Sequence, residues 1–361
     1  MIFEHGFSYY RIAEQIVRTE DMQRRVFTYF VTVLLLSLLS GRLFAEPAGR
    51  KVIIKLGTLV PDGSPWHDQL KEMGAKWKAA SDGSVELRIY PGGIAGDEED
   101  SVRKMRLGVL HAGMISNHGL STITPEVNAL VIPLLTNSWE ELMAVREQLQ
   151  PKLEAVLADK GFVVLNWGLG GWVHFFIPNV EPSVEQVTKN AKLYVWAGDD
   201  KTAELWKKAN FNIVALAATD MLPSLQTGMI NAFNTTPLLA LANQWFALTA
   251  AMIDMPWAPL VGATIVRKEV WEKIPAEIRP ELETAAREAG ENLDAQVIEL
   301  ERQAITEMEK RGLKVLKPTA AQLEEWQKLM KGVYPQIRDE IVPSAWFDEA
   351  LQAVEKKRAA E

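Results

Sequence analysis

Two large aromatic residues, Tyr194 and Trp196, lie two positions apart in the segment AKLYVWAG (191–198). The run Lys192–Trp196 has the length of a β-strand, and its alternating pattern places both aromatics on one face and aliphatic residues on the other. A phenol and an indole side by side can stack on an apolar ligand, and they offer it one hydroxyl group. Such a face is either buried core or the floor of a binding surface.

Residues that commonly catalyse reactions or bind metals form no recognised motif in this sequence. The absence of cysteine excludes disulfides, thiolate metal sites and cysteine nucleophiles. The phosphate loop, the GxSxG elbow and the HExxH helix are also missing. The sequence therefore predicts that the chain is not an enzyme and has no cofactor or metal. Catalysis by residues that only the fold brings together is the alternative.

The length, charge and N-terminus of the chain restrict its class and location. A chain of 361 residues is expected to form two lobes, and a net charge of −8 argues against binding nucleic acid. The basic pair Arg24–Arg25 precedes the apolar run Val26–Leu39, which is too short to span a membrane. This pattern is typical of a secretory signal cleaved after Ala45, with translation starting at Met22 rather than Met1. We therefore expect a mature chain free in the periplasm; an uncleaved membrane anchor is the alternative.

Strand and helix signals alternate along the first half of the chain, which predicts an α/β fold. A β-rich run at Val52–Leu59, a helix at His67–Ala80 and a strand at Val85–Tyr90 begin the series. A helix–glycine–strand unit then occurs twice, as MRLGVLHAGMISN (105–117) and LQTGMINAFNTTP (225–237). Each copy ends in polar residues where its strand ends, and two such ends facing each other would form a binding cleft.

The C-terminal part of the chain is predicted to be mainly helical. The longest helix covers Pro280–Arg311 and would measure about 45 Å at 1.5 Å per residue. Because this exceeds the radius of one lobe, we expect the helix to span both lobes.

Several motifs, in their order and spacing, resemble the solute-binding proteins of the TRAP (tripartite ATP-independent periplasmic) transporters, the DctP-like extracellular solute-binding family 7. The resemblance covers about residues 51–340. Its motifs are YPGGIAGDEEDSVRKMRLGVLHAGMI (90–115), AKLYVWAG (191–198), LPSLQTGMINAFNTTPLLAL (222–241) and VWEKIP (270–275).

The resemblance implies a two-lobed periplasmic binding protein of class II type, with two hinge crossings and the long helix bracing both lobes. It also implies that a small-molecule solute is delivered to TRAP permease membrane subunits. The implied division is an N-terminal extension and signal peptide at 1–45, lobe 1 at 46–171 with 258–300, lobe 2 at 172–257 with 301–345, and a C-terminal helix at 346–361.

The sequence departs from this family at the positions where the family binds carboxylates. The signature arginine, whose planar guanidinium can hold a carboxylate through two hydrogen bonds, matches Tyr194 here. A second common arginine matches a position near Val173, and Asn231 stands where an aspartate is usual. The carboxylate clamp is therefore missing, and we expect a neutral or largely apolar ligand.

The resulting hypothesis assigns ten residues to the cleft in three groups. Stacking on the ligand is expected from Tyr194, Trp196 and Trp172; hydrogen bonds at the strand tips from Asn117, Asn234 and Thr235; and the rim from Trp66, Trp167, His118 and Trp257.

Two other binding interpretations remain open. An organic acid could bind through Arg88, Arg103 or the strand-tip amides instead of the usual clamp. Alternatively, this protein could bind a lipid-like cargo and work with a helical-repeat periplasmic partner, as some branches of the family are thought to do.

Overall fold

The computed structural model describes residues 51–360, so the predicted signal sequence lies outside the described part. The strands are β1 (Val52–Thr58), β2 (Val85–Tyr90), β3 (Ala112–Ser116), β4 (Phe162–Ile177), β5 (Lys192–Trp196), β6 (Asn212–Leu216), β7 (Phe233–Thr235), β8 (Ala251–Ile253), β9 (Ala258–Arg267) and β10 (Lys314–Leu316). The helices are α1 (Pro65–Ala80), α2 (Glu98–Arg106), α3 (Asn117–Ser121), α4 (Trp139–Asp159), α5 (Val184–Asn190), α6 (Asp200–Lys208), α7 (Met221–Gln226), α8 (Pro237–Ala242), α9 (Lys268–Trp271), α10 (Arg279–Lys310), α11 (Ala320–Gln336) and α12 (Ser344–Ala359). Within this range, no helix combines the length and apolar character needed to cross a membrane.

The pairing of the strands confirms the predicted α/β fold. β1 pairs in parallel with β2 and β3, as expected for successive strand–helix–strand units. The sheet continues in the order β10–β8–β4–β9–β3–β1–β2, and β7 also pairs with β4. β5 and β6 form a separate parallel pair, which a bridge between Leu193 and Ala232 joins to the segment entering β7.

Two long strands, β4 and β9, connect the two halves of the main sheet. They run antiparallel from the Phe162–Arg267 pair to the Val173–Ala258 pair, from the side of β3 toward the side of β7 and β8. This arrangement agrees with the predicted pair of hinge crossings. The predicted lobe boundaries at 171/172 and 257/258 fall within β4 and at the start of β9, and they stay predictions.

The predicted long helix is present as α10, which has 32 residues. Its buried side includes Leu282, Ala289, Val297 and Met308. This side packs against α1, β4 and α8. The helix therefore contacts elements from both halves of the chain, as the sequence predicted.

Two acidic side chains of α10, Asp294 and Glu301, hold β4 at the point where its pairing with β9 is irregular. Asp294 Oδ1 accepts a hydrogen bond from the backbone N–H of Leu169 at 2.8 Å, and Glu301 Oε1 accepts one from that of Trp172 at 2.6 Å. The register shifts between Leu169 and Gly171, which frees these N–H groups from the ladder. We call Asp294 and Glu301 the crossing brace.

Candidate functional site

A cavity of about 380 Å³ lies where several strands end. Its lining includes Ser116 at the end of β3, Trp196 at the end of β5 and Thr235 at the end of β7. The middle of β4 and the first half of β9 complete this part of the wall through residues such as Val173 and Leu260. Ligands of open α/β sheets bind at such strand ends, so this cavity is the candidate site.

The cavity extends around the end of β5 and touches both of its faces. Tyr194 and Trp196 face a hydrophobic cluster that contains Met221 of α7. Val195 points to the opposite face, where Leu205 of α6 belongs to a different cluster. The cavity is thus lined from both sides of the strand, and we refer to these two parts as its arms.

The first arm is built from stacked aromatic rings. The imidazole of His118 lies parallel to the indole of Trp196, with 4.2 Å between ring centroids. The Tyr194 ring lies 6.0 Å from the same indole and is 4% exposed. On the aromatic face of β5, Tyr194 is therefore buried and Trp196 partly buried, and both belong to the cavity wall. We call His118, Tyr194 and Trp196 the polar arm.

The second arm is lined by aliphatic and aromatic carbon. After Pro335 interrupts the hydrogen bonding of α11, the chain forms a π-helical turn at Ile337–Ile341. This turn and α11 line the arm together with α6, whose Trp206 stacks on Trp257 at 5.6 Å. We call the following set the apolar arm: Leu205, Trp206, Leu329, Val333, Ile337 and Ile341.

The structure brings eight of the ten predicted site residues to this cavity. They are Tyr194, Trp196, Asn117, Asn234, Thr235, Trp66, His118 and Trp257. Trp167 and Trp172 do not line it. Trp167 donates a hydrogen bond from Nε1 to Glu154 Oε1 at 2.9 Å, and the Trp172 ring packs 5.1 Å from that of Trp139. Val173, the neighbour of Trp172, faces the cavity in its place.

Three buried polar atoms of the cavity wall have no protein partner among residues 51–360. They are the Tyr194 hydroxyl, His118 Nε2 and the Thr264 hydroxyl. The nearest acid to His118 is Glu99, whose Oε1 lies 3.7 Å from Nε2, beyond hydrogen-bonding distance. A buried polar group without a partner costs about 1–3 kcal/mol, so atoms of this kind mark where a ligand can supply partners.

Carboxylates surround the polar arm. Asp97 accepts hydrogen bonds from Trp196 Nε1 at 3.1 Å and from the backbone N–H of Ala218 at 2.7 Å. Glu98 accepts bonds from the Ser116 hydroxyl and backbone N–H, and burial raises the pKa of its carboxyl. Burial also lowers the pKa of His118, which favours the neutral imidazole.

Burial raises the pKa of the Tyr194 phenol, and nearby Asp97 and Glu98 reinforce this shift, so the hydroxyl remains a neutral donor. Among the described residues that line the cavity, there is no lysine and no arginine, whereas Glu98 and Asp199 are present. Arg88 and Arg103 lie elsewhere, in exposed pairs with neighbouring acids. The site therefore has negative rather than positive character.

No cluster of three or more histidine and acidic residues suited to a metal ion occurs within residues 51–360. Sequence analysis did not select Glu98, Thr264 or any member of the apolar arm. The spacing of Thr202, Leu205 and Trp206 on one face of α6, with Ala209 directly after the helix, is a signal that could have indicated part of that arm.

Comparison with known proteins shows which family the chain resembles in sequence and structure. Residues 56–340 match the family model described as bacterial extracellular solute-binding protein, family 7. A solute-binding protein of Albidiferax ferrireducens is 24% identical over 303 residues, which cover 80% of this chain and 86% of the relative. One from Chromohalobacter salexigens is 22% identical over 238 residues, covering 64% of this chain and 67% of the relative.

Solved structures share the two-lobed fold. A TRAP periplasmic solute-binding protein from Ralstonia eutropha, with bound (S)-2-acetolactate, has a TM-score of 0.78 at 22% identity and covers 85% of this chain and 99% of its own. The sugar acid binding protein of Advenella mimigardefordensis, in complex with galactonate, has a TM-score of 0.79 at 15% identity over the same shares. The match over residues 56–340 shows that this chain belongs to the bacterial extracellular solute-binding proteins of family 7.

Proposed function

We propose that this protein captures a small neutral or largely apolar solute in the cavity and delivers it to TRAP permease membrane subunits. The observation that best supports the ligand class is the composition of the wall: within the described part, acids and unpartnered neutral donors line it, without lysine or arginine. Proteins of this family work with membrane permease subunits and bind small solutes.

Charge favours a neutral ligand over an acid at the polar arm. A carboxylate there would lie near Asp97 and Asp199, with no lysine or arginine among the described lining residues to pair with, at a cost of several kcal/mol. A carbonyl or hydroxyl group can instead accept a hydrogen bond from Tyr194. Burying about 100 Å² of apolar ligand surface on the surrounding rings adds about 2.5 kcal/mol.

An organic acid is the second candidate, and the solved relatives favour it. The proteins from Ralstonia eutropha and Advenella mimigardefordensis hold acetolactate and galactonate, both organic acids. In this chain such an acid would depend on the side-chain amides of Asn117 and Asn234 and on protonation of His118.

Calorimetric titration distinguishes the two candidates. The panel contains succinate and galactonate on one side, and neutral aromatic and aliphatic alcohols and amides on the other. We expect the wild-type protein to bind neutral compounds, and Tyr194→Arg to lose them because a cation replaces the phenol. Leu323→Arg is the control, since it adds the same charge at an exposed position of α11. Tight binding of the acids by the wild type, with none of the neutral compounds, would reject the proposal.

A helical-repeat periplasmic partner stays a prediction from the sequence resemblance. Affinity purification from detergent-solubilised cells tests it: the permease subunits are the expected partners, and recovery of a helical-repeat protein as well would support the additional partner.

A further inference from the structure

We infer that the solute has two parts, an uncharged polar head and a hydrocarbon tail, and that residues 329–342 bind the tail. This inference rests on the proposed function, because it specifies the solute class of the same cavity. The head would occupy the polar arm and the tail the apolar arm.

The two arms differ in what they can recognise. The polar arm presents the Tyr194 hydroxyl and His118 Nε2, both buried and without a protein partner in the described residues. The apolar arm presents carbon: Leu329 and Val333 of α11 and Ile337 and Ile341 of the π-helical turn. A ligand head that forms hydrogen bonds would match the polar arm, and a hydrocarbon tail would match the apolar arm.

The size of the cavity argues for a ligand that reaches both arms. An apolar cavity of about 150 Å³ is enough to bind benzene. The volume here, about 380 Å³, is more than twice that, so a compact ligand of a few carbon atoms would leave one arm unfilled. Because Val195 lines the cavity on the opposite face of β5 from Tyr194, the tail would pass the end of this strand.

Part of the apolar arm's wall is preformed by packed rings, and Trp326 of α11 packs on the same rings, 5.7 Å from Trp257. Trp206 and Trp257 stack on each other, and the Trp257 ring contacts that of Phe175 behind it at 5.0 Å. This support holds the wall in place, so the tail is selected by length rather than by an induced rearrangement.

The test uses straight-chain primary alcohols from butanol to decanol, titrated into the full mature chain and followed by calorimetry and native mass spectrometry. We expect affinity to rise about fourfold per added methylene until the arm is filled. Val333→Trp fills the arm from α11 and Ile341→Trp fills it from the π-helical turn. Both are expected to weaken decanol at least tenfold and butanol less than twofold. Lys328→Trp, at an exposed position of α11, is the matched control and is expected to leave both unchanged.

The outcomes separate this inference from the proposed function. If alcohols bind but chain length has no effect, or if both Trp variants weaken butanol and decanol equally, the two-part ligand is rejected and the neutral-ligand proposal stands. If none of the alcohols binds while sodium butanoate to decanoate or succinate does, the proposed function itself is rejected. Two Trp variants are used so that misfolding of one leaves the test decisive.

Discussion

The crossing brace and the polar arm treat buried polar groups in opposite ways. At the brace, the N–H groups that the irregular pairing of β4 releases each donate a hydrogen bond to an acidic side chain of α10. At the polar arm, the Tyr194 hydroxyl and His118 Nε2 are buried without a protein partner in the described residues. A group that maintains the fold must be satisfied by the protein, whereas a group that recognises a solute must remain available to it. Variants at the brace should therefore change stability, and variants at the polar arm should change affinity.

The largest effect is expected for Gly171→Ala. Gly171 has φ +105°, and a Cβ there would lie 2.1 Å from Glu301 Oε1. Left-handed strain, overpacking and loss of the Trp172 hydrogen bond together should destabilise the protein by about 4 kcal/mol or more, measured by urea unfolding. Gly168→Ala is the control, because its Cβ would meet no atom within 4 Å. Equal stability of the two variants would contradict the role of the brace.

The next effect concerns pH. Burial raises the pKa of Glu301 from 4.5 to about 8. Between pH 4.5 and pH 8, the folded protein therefore keeps a proton that the unfolded chain has already lost. This contribution to stability is complete below about pH 4.5 and is lost as pH rises through 8. The wild type should lose about 2–3 kcal/mol between pH 5 and pH 7.5, more than Glu301→Gln, which cannot ionise. Parallel stability–pH curves for the two proteins would show that Glu301 does not titrate in this range.

A smaller loss of stability is expected when Arg146, the ion-pair partner of Asp294, is replaced. Arg146 Nη1 lies 2.6 Å from Asp294 Oδ2, and both side chains are largely buried. Arg146→Met should cost about 2 kcal/mol in chemical denaturation, because it leaves a buried carboxylate unpaired. The control Arg287→Met removes an exposed pair with Glu291 and should cost under about 0.5 kcal/mol. A similar change in both variants would mean that the Arg146 pair is not structural.

The smallest change in stability, and the sharpest contrast, comes from two tyrosines. Tyr334 donates its hydroxyl to the backbone oxygen of Pro133 at 2.8 Å, whereas Tyr194 has no such protein partner within residues 51–360. Tyr334→Phe should lose about 1 kcal/mol of stability, and Tyr194→Phe less than about 0.5 kcal/mol. Solute affinity should fall about tenfold in Tyr194→Phe and remain unchanged in Tyr334→Phe, as measured by calorimetry. The reverse pattern would place Tyr194 in the structural group.

Much of the fold could be predicted from local sequence pattern. The strand Lys192–Trp196 and the helix Arg279–Lys310 agree with their predictions within one residue at each end. Both depend on short-range periodicity, which neighbouring residues establish by themselves. The tips of β3 and β7 line one cavity, as the repeated helix–glycine–strand unit with polar residues at both strand ends predicted.

The site was harder to predict, because small irregularities decide which side chains face it. Trp172 and Val173 are adjacent in β4, just after the register shift near Gly171, and it is Val173 that lines the cavity. Val333 and Ile337 have the spacing of an ordinary core-facing helix stripe, so sequence alone does not distinguish a cavity wall from packed core.

By itself, the sequence determined an α/β chain with a long C-terminal helix, and aromatic rather than guanidinium side chains at the β5 position. These properties follow from residue type and periodicity, which act over a few residues. Only the tertiary structure decided that helix α11, more than a hundred residues after β5, lines the same cavity. It also decided that carboxylates surround Tyr194, since contacts between distant segments depend on how the whole chain packs.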